Sequence, residues 1–343
     1  MEGRAARDAG AQPGNAPLVG RRDALDAIGR ALDGTLKGSG PGYGFLALVG
    51  EPGAGKTRLL NELADAAAGR RLPVLAGRAA EFEQEMPFGA VVDALDDRLE
   101  ERSLDLPPAA LRLLGTVFPA LADISAGPPA ASPETRAARY QLHRTVRHLL
   151  EGLSSRSGLV LILDDLHWAD DATVELLDHL VRHPPRARVL VAVAYRPAQA
   201  SPRLAALVDA AGPQGVHVSV DPLTHSEVEE FLGPQVSRSR CEALYKASGG
   251  NPFYLEALSR MDHDDPAVGG DDLGRQGWEK GVANLTEVPP AVRTALQIEL
   301  SVLPPEALLM ARGAAVAGTC SSPRWPPSPP RWTTPAPWRR WTC

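Results

Sequence analysis

Gly50, Gly53 and Gly55 precede Lys56 and Thr57 in the stretch Gly50-Glu51-Pro52-Gly53-Ala54-Gly55-Lys56-Thr57. The stretch fits G-x-x-x-x-G-K-[ST]. Glycines reach backbone angles that a side chain forbids, so successive N–H groups can turn inward around a phosphate. Lys56 would reach the β- and γ-phosphates, and the Thr57 hydroxyl would ligate Mg²⁺. The expected nucleotide contacts are Gly50, Pro52, Gly53, Ala54 and Gly55, with Lys56, Thr57 and Arg58 opening the next element. A second set is Leu159-Val160-Leu161-Ile162-Leu163-Asp164-Asp165, five apolar residues ending in two carboxylates. Asp164 would hold Mg²⁺ directly or through water, and Asp165 would polarise an attacking water as general base. A third candidate is Arg196, after an apolar run, placed to reach a γ-phosphate. His167 has two readings that the sequence leaves open, a sensor of the γ-phosphate or a packed loop histidine.

These residues need a scaffold, and the flanking sequence supplies one. Phe45–Val49 is an apolar run of buried-strand length, and Arg58–Ala68 carries Leu59, Leu60, Leu63 and Ala67 at helical spacing. Strands are also expected over 73–77, 159–163, 188–194 and 216–220, alternating with helices. That pattern gives an open, mostly parallel five-stranded sheet in an α/β fold, with ligands at the carboxyl ends of the strands. A strand between the glycine-loop strand and the acid-tipped strand marks the additional-strand branch of P-loop NTPases. Helices are expected through Leu25, Ile28 and Leu32, through Val91, Leu95 and Leu99, over Leu111–Leu121, over Glu134–Leu153 and over Ala172–Arg182. Ser125–Pro133 reads as a loop.

From Pro222 the pattern turns helical, over Ser226–Leu232, Ser239–Ser248 and a helix opened by Gly250 and Pro252. The expected organisation is a mobile tail (1–17), a P-loop domain (18–222) and a helical lid (223–287) with a flexible loop at 262–281. The beginning of a winged-helix domain (288–318) and a Pro/Trp/Arg-rich tail (319–343) follow.

The chain has 343 residues, 44% hydrophobic and 23% charged, as in soluble globular proteins. A net charge of −6 argues against a broad nucleic-acid surface. Cys241, Cys320 and Cys343 show no metal-ligand spacing and read as thiols of a reducing cytoplasm. No signal peptide or membrane-spanning run is present.

Taken together, Val19-Gly20-Arg21, Gly50–Thr57, Leu161–Asp170 (LILDDLHWAD), Tyr195-Arg196 and Gly250–Leu255 (GNPFYL) resemble the ATPase module of STAND-type signalling ATPases. The resemblance points most closely to the large ATP-binding LuxR-type (MalT-like) bacterial transcriptional regulators, over roughly residues 18–318. It implies that Val19 and Arg21 lie near the adenine and ribose. It implies that Pro252 packs on the adenine and couples nucleotide state to the lid, and that Arg196 is the sensor arginine. It implies ATP and Mg²⁺ as cofactors, a slow regulatory ATPase, and self-association in the ATP state. The family's repeat region and helix-turn-helix are absent from this sequence, so no DNA binding is expected from the chain alone. After Gly318 the family pattern stops, and Trp325, Trp332, Trp338 and Trp341 crowd among prolines and arginines. A frameshift in GC-rich coding DNA is the reading adopted for 319–343, with a genuine recognition tail as its alternative. Two further functions stay open at this point: a stand-alone AAA-like ATPase or remodeller, and a non-hydrolysing nucleotide-gated scaffold.

Overall fold

Branched apolar runs form five strands: β1 (Tyr43–Val49), β2 (Val74–Arg78), β3 (Leu159–Asp164), β4 (Val189–Tyr195) and β5 (Gly215–Ser219). They pair in the order β2-β3-β4-β1-β5, and every neighbouring pair is parallel. β3 and β4 are buried along their whole length, the burial expected of central parallel strands covered on both faces. Alternation splits the core in two. Phe45, Leu161, Val191 and Val193 face one cluster, and Leu46, Leu48, Ile162 and Leu190 face the other. Each such side chain contributes about 1.5–3 kcal/mol on full burial.

The coordinates are a computed structural model that describes residues 18–37, 42–100, 106–122, 135–155, 157–212, 215–261, 293, 296, 297, 300 and 305–317. The expected tails at 1–17 and 319–343, the loops at 125–133 and 262–281, and most of 288–304 lie outside them. The chain divides into two compact units, Met1–Gly269 and Gly270–Cys343. Of the second unit's expected winged-helix start, the described part is chiefly one helix, Pro305–Ala317, with Leu309 and Met310 exposed.

In the first unit, α1 (Arg22–Lys37) and α2 (Lys56–Gly69) cover the face of the sheet lined by Leu46 and Leu48. The other face is covered by α3 (Gly89–Glu100), α4 (Pro108–Leu114), α5 (Arg136–Ser154), α6 (Asp171–Arg182) and α7 (Pro202–Ala210). Local capping starts several of these helices. Thr135, Asp170 and Ser201 accept from the backbone N–H three residues on, at α5, α6 and α7. The region expected as a lid holds α8 (His225–Leu232), α9 (Arg238–Ser248) and α10 (Pro252–Met261). α8 begins with a full capping box between Thr224 and Glu227. Among the described residues no helix is long and apolar enough to cross a membrane.

One expectation is corrected. The helix expected over Leu111–Leu121 is two pieces, α4 and a 3₁₀ turn at Pro119–Leu121. Pro119 holds Phe118 in an extended conformation and lacks the N–H needed to continue. The strand expected between the glycine-loop strand and the acid-tipped strand is β4. In the sheet β4 lies between β1 and β3, and β2 is the edge strand beyond β3. Both sides of β1 are taken by β4 and β5, so β2 must cross to the far edge.

Candidate nucleotide site

The glycine loop joins β1 to α2 at the carboxyl edge of the sheet. Gly53 and Gly55 are left-handed, with φ of 74° and 99°. A Cβ at Gly55 would meet nothing within 4 Å, so the space above the cap of α2 is open. Lys56 is 6% exposed, and its Nζ donates to the carbonyls of Gly50 at 2.8 Å and Glu51 at 2.9 Å. Burial pushes its ammonium below the ordinary lysine range, and Arg196 pushes the same way. Asp165, Asp164 and Glu51 pull it back. An open loop of left-handed glycines at a helix N-terminus, with one ammonium drawn into it, fits a phosphate.

The next residue ties the loop to β3. Thr57 Oγ1 donates to Asp164 Oδ2 at 2.7 Å, and the Asp165 N–H donates to Asp164 Oδ1 at 2.8 Å. Burial pushes the Asp164 carboxyl up, and the Thr57 hydrogen bond opposes that. A hydroxyl beside a carboxylate is a pair of hard oxygen donors, the donor set that suits Mg²⁺. Thr57 and Asp164 are therefore brought together, 107 residues apart in sequence.

Asp165 sits in the left-handed region, with φ of 52°. That turn swings its side chain away from Asp164 and onto Arg78, at the end of β2. Arg78 Nε and Nη2 donate to the same Asp165 oxygen at 2.8 and 2.5 Å. The Arg78 side chain is 67% exposed and that of Asp165 only 10%. His167 lies behind them, with Nδ1 4.0 Å from Asp165 Oδ1. Its ring is tilted against that of Trp168, with centroids 5.1 Å apart, and neither nitrogen makes a hydrogen bond. Burial, with Arg196 next, lowers the His167 imidazole to about 4, so it is neutral at neutral pH. Arg196 follows β4 directly. Its Nη1 donates to Gln199 at 3.4 Å, while its buried Nε makes no hydrogen bond. Asp170, which closes the DDLHWAD run, caps α6 through Thr173 and accepts the Phe88 N–H at 3.0 Å.

Two segments far from the loop in sequence close on it. Val19 is buried, and Arg21 Nη2 donates to the Ala54 carbonyl at 3.0 Å. From the lid, Asn251 Nδ2 donates to the Pro52 carbonyl at 2.7 Å, and Asn251 Oδ1 accepts the Phe253 N–H at 3.1 Å. Pro252 stands between them as the first residue of α10, half-buried. Arg58 lies half-buried in the first turn of α2. Glu227 of α8 lies against Gly20, where a Cβ would come within 2.5 Å of its carboxylate. Sequence reasoning did not single out Arg78, Asn251 or Glu227. The available signals were an arginine closing a strand and an N-cap residue type before Pro252.

A family model described as an AAA ATPase domain matches residues 17–192. A curated, uncharacterized protein of Rhizobium meliloti (strain 1021) is 27% identical over 329 residues, covering 88% of this chain and 30% of its own length. The chain thus spans under a third of that relative. Among solved structures, Cdc6p from Pyrobaculum aerophilum is 16% identical with a TM-score of 0.46, covering 74% of this chain and 64% of that one. The Thermotoga maritima RuvB branch migration motor is 16% identical with a TM-score of 0.43, covering 86% and 82%. AMPPCP-bound DnaA from Aquifex aeolicus is 15% identical with a TM-score of 0.39, covering 73% and 63%. Likeness at that level says nothing of substrate or partner. The family match covers more than half of the chain, including the glycine loop and both β3 carboxylates, and the chain belongs to the AAA ATPase domain family.

Proposed function

We propose that the chain is an ATP-binding, slowly hydrolysing switch, the nucleotide module of a LuxR-type (MalT-like) regulator. The observation that carries the switch reading is the Arg78–Asp165 pair. A carboxylate oxygen occupied by two guanidinium N–H groups is not free to receive a water molecule, so binding can proceed while turnover waits. Because the guanidinium is largely in water, the pair is worth only about 0–1 kcal/mol and opens readily. A bound Mg²⁺ would offset the negative charge of the phosphates. Thr57 and Asp164 would hold it, and Lys56 would leave the Gly50 and Glu51 carbonyls for the β- and γ-phosphates. Gly50, Pro52, Gly53, Ala54, Gly55 and Arg58 would line the phosphate path. Asp165, once released, would orient water and take its proton, and Arg196 would read the γ-phosphate.

Val19, Arg21 and Pro252 are assigned to the base and ribose. The Asn251–Pro52 hydrogen bond supports the coupling of lid to nucleotide, since a phosphate that moves the loop also moves the carbonyl the lid holds. Self-association in the ATP state, and gene regulation through the larger protein, belong to the same proposal.

Equilibrium nucleotide binding and phosphate release by two variants test it. Lys56→Ala should weaken ATP binding about 10- to 100-fold, the loss expected for charge-assisted hydrogen bonds. Asp165→Asn should bind ATP as the wild type does and hydrolyse it about 10²- to 10⁴-fold more slowly. Undiminished affinity in the first variant would remove the phosphate assignment, and undiminished turnover in the second would remove the general base.

A further inference from the structure

The lid carries a second set of chemically able side chains, remote in role from the glycine loop. His225 opens α8 and Glu229 follows one turn later, so both leave the same face of the helix. Their Nδ1 and Oε1 atoms are 3.6 Å apart. Cys241, near the start of α9, is 2% exposed. One ligand atom from each of the three residues lies within 4.8 Å of the others. Among the described residues no other group of three His, Cys, Asp or Glu side chains converges this closely. The Tyr245 ring of α9 meets the His225 imidazole edge-on at 5.2 Å and restricts its plane.

The geometry points to a divalent metal site of the zinc class, held by His225, Glu229 and Cys241 and bridging α8 to α9. The donor set selects the metal: a thiolate and an imidazole suit zinc, whereas Mg²⁺ takes oxygen ligands. Three protein ligands would leave a fourth coordination position for water. Small movements of three side chains bring atoms 4.8 Å apart to metal-binding distance, and Cys241 gives up its proton to solvent as it binds. An ion pair between His225 and Glu229 with Cys241 as mere packing would need no metal, and that is the alternative the experiment separates. The consequence reaches the nucleotide site. α8 bears Glu227 against Gly20, and α9 runs into Gly249–Asn251 on the glycine loop. A metal that fastens these helices would set how freely the lid moves.

The test uses the full chain carrying Cys320→Ser and Cys343→Ser, so that Cys241 is its one thiol. Metal-free protein is titrated with Co²⁺ and followed by absorption. The proposal expects one ion per chain and a sulfur-to-cobalt charge-transfer band that Zn²⁺ abolishes. Cys241→Ser should lose the band. His225→Ala and Glu229→Gln should each weaken binding by about tenfold or more. Circular dichroism checks that each variant keeps its helices. If Cys241→Ser does not fold, the partly exposed His225→Ala decides. Absence of stoichiometric Co²⁺ binding, a band that survives Cys241→Ser, or wild-type affinity in His225→Ala would each overturn the site. None of these results depends on whether the glycine loop binds ATP.

Discussion

The phosphate-binding edge of the sheet and the helical lid are held by different means. At the sheet edge, β3 and β4 are buried end to end, and the functional side chains project from the ends of packed strands. In the lid, α8 buries only Val228, and α9 buries Cys241, Leu244 and Ser248. The described ties from the lid to the glycine loop and to the segment before α1 include Asn251 to Pro52, Phe253 against Gly53, and Glu227 against Gly20. A region with little buried apolar area opens at low free energy, and moving elements are drawn from such regions. Under the proposed function the chemistry belongs to the rigid edge and the motion to the lid.

The hinge of the lid is the place to break this contrast. Gly249 and Gly250 are both left-handed, at φ of 60° and 76°. A Cβ at Gly249 would meet nothing within 4 Å, whereas at Gly250 it would come within 2.1 Å of the Leu223 carbonyl oxygen. Gly250→Ala should therefore cost about 3 kcal/mol, combining backbone strain with a collision. Gly249→Ala should cost about 1 kcal/mol, from strain alone. Denaturant unfolding of the two variants measures the gap. Equal losses would mean that the turn is not pinned against Leu223.

Acid should act on the other side of the contrast. His179 of α6 is buried among Tyr140, His143 and His183, and burial lowers it from 6.5 to about 4. His143 is lowered as well, chiefly by burial. Between those values the unfolded chain takes up a proton that the folded chain refuses. Stability should be fullest above about pH 6.5 and fall as pH drops toward about 4. Melting temperatures across that window should flatten in His179→Phe. A slope unchanged by the substitution would place the acid sensitivity elsewhere.

The smallest expected effect is that of Asn251→Ala. It removes one lid-to-loop hydrogen bond worth about 0.5–1.5 kcal/mol. Amide exchange should speed up in α10 while β3 and β4 stay protected. Faster exchange in the central strands as well would join the two regions into one cooperative unit.

The sheet and its glycine loop were legible in the sequence because both are written locally. The strand expected over 159–163 is observed at 159–164, and that over 188–194 at 189–195. Buried parallel strands announce themselves as continuous apolar runs, and the glycine loop carries its own signature. Arg78 was not legible. Its importance follows from the pairing of β2 with β3, in which Arg78 stands beside Asp164, and from the left-handed turn at Asp165. Neither is marked by residue type. The break near Gly115–Phe118 was missed because leucine spacing continues through it, although Pro119 gave the local signal. The lid's hold on the loop was half legible. The turn before Pro252 was singled out, but the contact falls to the side chain of Asn251, set by the fold of three helices.

In the proposed switch, Arg78 holds Asp165 out of action. The most direct measurement is steady-state ATP turnover by Arg78→Ala beside the wild type, with nucleotide affinity measured in parallel. Turnover should rise several-fold at nearly unchanged affinity. Turnover equal to the wild type, or lower, would contradict that role and make Arg78 a bystander or a participant in the reaction.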